Sequence, residues 1–143
     1  MSKISKRLDE LMAEHNLNAP QLAQKLGVDR TDINRFLRGE RTPNYPCFIN
    51  MLYYFNCSAD YLLGLTDLHT EEKLHEVLPF GERLRALLKK QGISQAQLIR
   101  DLPVSSAVPF KWLSGKNYPS MESLMRLAEY LGFSVDYLIG RVR

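Results

Sequence analysis

Apolar residues recur along this chain at the three-to-four-residue spacing of helices that bury one edge. Near the start, Ile4, Leu8, Leu11 and Met12 follow the 3.6-residue period. The helix they predict stops near Asn16, whose residue type accepts a left-handed C-cap. Asn18 then caps a second helix, with Ala19 and Pro20 in its first turn, where proline costs little. Its buried stripe is Leu22, Ala23 and Leu26. Gly27 makes a tight turn, and Asp29 caps a third helix that runs from Arg30 to about Arg38 and ends at Gly39. Pro43 and Asn44 introduce a fourth helix carrying Phe48, Ile49, Leu52 and Phe55. Ser58 caps a short fifth, Ala59 to Leu63, closed by Gly64. No strand pattern competes, so the predicted class is all-α.

The same pattern returns 76 residues later. Residues 4–64 align with 80–140 without a gap, and sixteen of the sixty-one positions are identical, among them Leu8/Leu84, Gln21/Gln97, Leu37/Leu113, Gly39/Gly115, Pro43/Pro119 and Asp60/Asp136. The chain therefore reads as two copies of one five-helix unit, a duplicated small domain rather than a solenoid, whose period is usually shorter. Each copy is near the size at which a lone core is marginal. The division predicted is a first domain at residues 1–66, a linker at 67–78 and a second, diverged domain at 79–143. The stretch LHTEEKLHEVLP between the copies is charged, which leaves open a linker helix that stops at Pro79.

An apolar fraction of 45% in 143 residues is enough for cores. No run approaches the ~20 apolar residues of a membrane span, and the N-terminus MSKISKRLDELM lacks the apolar block of a signal peptide. The place predicted is the cytoplasm, with no membrane partner. Cys47 and Cys57 form no CxxC and lie at no ligand spacing from His15, His69 or His75, so they read as reduced, mostly buried thiols. No metal and no cofactor is predicted. Nor is an enzyme: the chain has no P-loop, GxGxxG, HExxH or GxSxG, and pairs such as Asp9/Glu10 and Glu71/Glu72 read as solvated charge.

The charge that matters is local. Residues 1–67 carry eight basic and eight acidic side chains, and residues 68–143 carry eleven and eight. In GVDRTDINRFLRGERTP, however, a helical projection puts Ile33, Phe36 and Leu37 on one side of the third helix. Thr31, Asn34, Arg35 and Arg38 fall opposite, with Arg30 at the flank. Two helices joined by a glycine turn, the second exposing a basic edge, describe a helix-turn-helix.

The residues NAPQLAQKLGVDRTDINRFLRGERTP, followed by CSADYLLG, resemble the phage repressor and Cro-like helix-turn-helix family, often called the XRE family. The resemblance extends to both copies. It implies two tandem five-helix lambda-repressor-like domains, each presenting its third helix to the DNA major groove, and hence a sequence-specific DNA-binding transcriptional regulator. Carried over by position, it makes Arg30, Thr31 and Arg35 candidates for base edges, and Asn34, Arg38 and Arg41 candidates for phosphates. Two features depart from the pattern. Ala19 stands where the family often has a glutamine, and Asp32 adds an acidic group near the groove, where it can also serve the helix N-terminus. The alternative function is a protein-binding regulator, an antitoxin or antirepressor, built on the same fold.

The second copy has drifted. Pro103 replaces Gly27 and cannot adopt the left-handed conformation, so its turn must be built differently. Pro109 replaces Ile33, which with Ser106 as cap predicts a third helix that starts later and is shorter. The positions matching Arg30, Thr31 and Arg35 are Ser106, Ala107 and Lys111. Weaker contact candidates here are Gln95, Ser106, Lys111 and Asn117. Either each copy takes one half-site, about 34 Å apart on DNA, or the second copy makes a homodimer that sets two first copies on a palindrome. The two prolines tilt the expectation towards the homodimer. Phe110, Trp112, Tyr118, Tyr130 and Phe133 supply aromatics for such a surface, although most of them are expected in the core.

Overall fold

Asparagine, serine and glycine punctuate the chain, and between them ten helices form in the computed structural model, which describes residues 3–143. Of the N-terminal stretch, Met1 and Ser2 lie outside the described residues. In order these are α1 (Lys3–Glu14), α2 (Ala19–Leu26), α3 (Arg30–Leu37), α4 (Tyr45–Phe55) and α5 (Ala59–Leu62), then α6 (Phe80–Gln91), α7 (Gln95–Asp101), α8 (Ala107–Ser114), α9 (Met121–Leu131) and α10 (Val135–Ile139). No strand occurs among the described residues. The chain divides into two units between Glu72 and Lys73, with five helices in each.

Local chemistry sets most helix ends. Asn18 accepts from the Gln21 N–H while the Gln21 side chain accepts from the Asn18 N–H, a reciprocal capping box. Asp29, Asn44 and Ser58 cap α3, α4 and α5 through their side-chain oxygens, and Ser94, Ser120 and Ser134 do the same for α7, α9 and α10. Asn16 ends α1 at φ 54°, and Gly92 ends α6 at φ 69°, the left-handed conformation expected of both.

In the first unit Leu8, Leu22, Ile33, Phe48, Met51, Leu52 and Leu62 form the core and are essentially sealed from solvent. Each such side chain contributes roughly 1.5–3 kcal/mol on burial. The stripe on α3 goes under: Ile33 and Phe36 are buried, and the Ser5 hydroxyl on α1 donates to the Leu37 carbonyl at 2.6 Å. That hydrogen bond fastens the C-terminal end of α3 to the body. In the second unit Leu84, Leu98, Trp112, Leu124, Leu127 and Leu138 are the corresponding core.

The stretch between α5 and α6 contains no helix, so the linker helix that the sequence left open does not form. Thr66 and Thr70 accept the N–H groups of Leu68 and Glu72 on their own hydroxyls, which competes with helical pairing. Buried Arg7 holds the start of the segment through the Thr66 carbonyl and Asp67 Oδ1 (2.6 Å). Further on, the backbone pairs with the end of the second unit. The His75 N–H donates to the Arg141 carbonyl (2.7 Å) and the Leu78 N–H to the Ile139 carbonyl (3.0 Å), while Arg141 Nη1 donates back to the His75 carbonyl.

The second unit solves its proline turn as the fixed φ requires. Leu102 is extended (φ −84°, ψ 137°), and the Val104 N–H donates to the Leu102 carbonyl at 2.8 Å, closing a three-residue turn around Pro103. Its third helix corrects one expectation: α8 is as long as α3, eight residues each. Pro109 sits in the first turn, where a missing N–H is not needed, and the helix starts one position later but runs one further. Ser106 is itself helical in backbone conformation and makes no side-chain cap.

Candidate nucleic-acid interface

The helix pair α2 and α3 turns at Gly27, which is left-handed (φ 69°, ψ 32°) and donates its N–H to the Ala23 carbonyl. Asp29 then starts α3 by accepting the Thr31 N–H at 2.8 Å. The Thr31 hydroxyl and N–H hold the Asp29 carboxyl below its usual range, with Arg30 and Arg35 adding to the effect. The acidic cap is therefore ionised and sits where the positive end of the helix dipole favours it.

With Ile33 and Phe36 inside, the other edge of α3 lies in solvent. Arg30, Thr31, Arg35, Arg38 and Arg41 are exposed and Asn34 is half-buried. The arginines differ in what they touch. Arg38 grips Glu40 with two hydrogen bonds, Nε to Oε1 at 2.8 Å and Nη2 to Oε2 at 3.2 Å, and Arg41 lies 3.5 Å from Asp32. Arg30 and Arg35 form no ion pair among the described residues. Of the base-edge candidates, Thr31 is engaged by Asp29 while Arg30 and Arg35 make no ion pair among the described residues, and two of the phosphate candidates are held by carboxylates. Asp32 does more than serve the helix start, since its carboxylate also reaches Arg41, a partner nine residues on that local pattern did not reveal.

On α8, Pro109, Trp112 and Leu113 are buried, while Ser106, Ala107, Phe110, Lys111 and Ser114 are exposed. Gln95 opens α7 in solvent, and Asn117 is exposed with its N–H bonded to the Lys111 carbonyl. Of the five aromatics considered in this copy, Trp112 is buried and Tyr130 and Phe133 half-buried, as expected of core residues. Phe110 and Tyr118 stand out at 57% and 52% exposure. Phe110 is the residue here that the sequence reading underweighted. Its signal was positional, since it occupies the slot of Asn34 on the outer edge of the third helix.

Other chemistry is quiet. Cys47 and Cys57 are buried free thiols; burial first, and Asp32 second, push the Cys47 thiol up to about 11. No helix among the described residues is long and apolar enough to cross a membrane.

Compared with known proteins, residues 84–138 match the helix-turn-helix family model. The second unit is thus similar to a helix-turn-helix. The match falls on the unit whose turn and third helix carry the two prolines, so those substitutions leave the family pattern recognisable. Among curated proteins, the chain is similar to the HTH-type transcriptional activator BcrR of Enterococcus faecalis, at 37% identity over 43% of this chain and 30% of that protein. It is similar to the transcriptional regulator YobD of Bacillus subtilis, at 31% identity over 43% of this chain and 54% of the other. It also resembles the cryptic phage CTXphi transcriptional repressor RstR of Vibrio cholerae, at 37% identity over 42% and 54%. The matched part spans about half the length, or less, of these relatives. No solved structure matches the chain. All three of these relatives carry names of transcriptional regulators.

Proposed function

We propose that the chain is a sequence-specific DNA-binding transcriptional regulator made of two tandem helix-turn-helix domains, with α3 entering the major groove. One observation carries this reading: α3 buries Ile33 and Phe36 and turns Arg30, Thr31 and Arg35 to solvent, neither arginine making an ion pair among the described residues. An α-helix fits the major groove, and side chains near its N-terminus reach furthest towards the base edges. Arg30 and Arg35 suit guanine O6 and N7, and the Thr31 methyl suits thymine. Asn34, Arg38 and Arg41 set register on phosphates, with Arg38 and Arg41 exchanging Glu40 and Asp32 for DNA oxygens.

Selection of bound duplexes from a random pool tests the proposal. A defined motif is expected, with log affinity falling linearly in log salt at about −0.9 per phosphate neutralised. Recovery of no enriched motif, together with indifference to salt, overturns it in favour of the antitoxin or antirepressor reading. For the second unit we favour a second half-site over homodimerisation, because its exposed Phe110 lies on the outer edge of α8, in the slot that Asn34 holds on α3. An asymmetric two-part motif bound by one chain supports this. A palindrome bound by two chains supports the homodimer.

A further inference from the structure

We propose that the second unit reads thymine through its C5-methyl group, with Phe110 as the reading side chain and Ala107 beside it. This rests on the DNA-binding reading and specifies what α8 recognises. The two residues lie three apart on α8 and share one face, both exposed, while Pro109, Trp112 and Leu113 hold the helix from beneath. Phenylalanine and alanine have no hydrogen bond to offer a base edge. What they match in the major groove is the thymine methyl, the apolar group displayed there, and alanine and phenylalanine are among the side chains that contact it.

The surroundings select DNA as the occupant. From Leu102 to Met121 the sequence contains no aspartate or glutamate, and Lys111 and Lys116 are exposed in that interval. On α3 and its flanks, by contrast, Asp29, Asp32 and Glu40 accompany the arginines. Phe110 is thus followed directly by exposed Lys111 in a segment whose charges are all positive, bounded by the exposed carboxylates Asp101 and Glu122, and a positive charge beside an apolar ring is complementary to a base step between phosphates. A two-fold contact between copies would use the same patch on both and bring like charges together. The drift in the second copy becomes a change of role: Ala107 keeps the methyl-seeking slot of Thr31, and the slot that holds phosphate through Asn34 on α3 carries a methyl-seeking ring on α8.

The test uses the full chain and the selected duplex, replacing each thymine in turn by deoxyuridine, which removes only the methyl. Wild type is expected to lose about fourfold in affinity at one or two thymines, the effect of burying one methyl-sized group. Phe110→Ala is expected to bind the thymine duplex more weakly and to be indifferent to those same replacements, while Phe110→Leu keeps part of the sensitivity. Because Phe110 is exposed, circular dichroism should show both variants folded. Binding that persists in wild type with no thymine dependence, or equal dependence in Phe110→Ala, overturns this inference and leaves the DNA-binding function standing. So does a DNA-free dimer that Phe110→Ala converts to monomer by sedimentation. Failure to bind any duplex overturns both.

Discussion

Arg35 and Arg38 lie on one edge of α3 yet meet DNA from different starting points. Arg35 makes no ion pair among the described residues, and Arg38 is clasped by Glu40. Arg35→Ala is expected to cost about 1–3 kcal/mol of discrimination at one base pair, read by competition with single-base operator variants. Arg38→Ala should weaken binding to all sequences alike and lower the salt slope by about one. Glu40→Gln releases Arg38 and should strengthen binding to every duplex without changing the preferred motif. The carboxyls follow one sign. Asp29 is held below its usual range first by Thr31, and Glu40 first by Arg38. What they contribute to the fold is present in full above the ordinary carboxylate value near pH 4 and is lost as pH falls through their lower folded values. Thermal melts between about pH 5 and 2 should show stability falling, and Asp29→Asn, which retains a capping oxygen, should flatten part of that fall.

At the scale of elements, the two turns are not interchangeable. Gly27 needs φ 69° and an N–H to donate to the Ala23 carbonyl, and Pro103 offers neither but closes its own three-residue turn. Gly27→Pro should therefore abolish folding of the first unit. Gly27→Ala, with open space around the new methyl, should cost about 1–2 kcal/mol from the left-handed backbone alone, measured by chemical denaturation. The same contrast explains what could be read in advance. Caps at Asn18, Asp29 and Ser58 were legible because each bonds a group two or three residues away. The non-helical path of residues 75–78 was not, because its partners Ile139 and Arg141 lie more than sixty residues on in the chain. Nor was the Arg41–Asp32 pair, which depends on how the chain leaves α3. The length of α8 was misjudged because Pro109, in the first turn, delays the start by only one residue, and the far end regains it by running to Ser114 before Gly115 at φ 79° stops the helix.

For the molecule as a whole, the exposed run from Leu68 to Lys73 straddles the division between the units. A glutamate-specific protease is expected to cut first after Glu71 or Glu72, read by mass spectrometry of the earliest fragments. Early cuts within α1 or α9 instead would mean that the units open more readily than this segment. The two cysteines, buried on and just beyond α4, have a practical consequence. Every sulfhydryl of the chain is in one half, and the other half has none. A thiol-trapping dye added to the intact protein acts as a clock that ticks only when the first unit opens. Its rate, followed with and without duplex, reports how firmly the half that carries α3 is gripped while its neighbour stays silent.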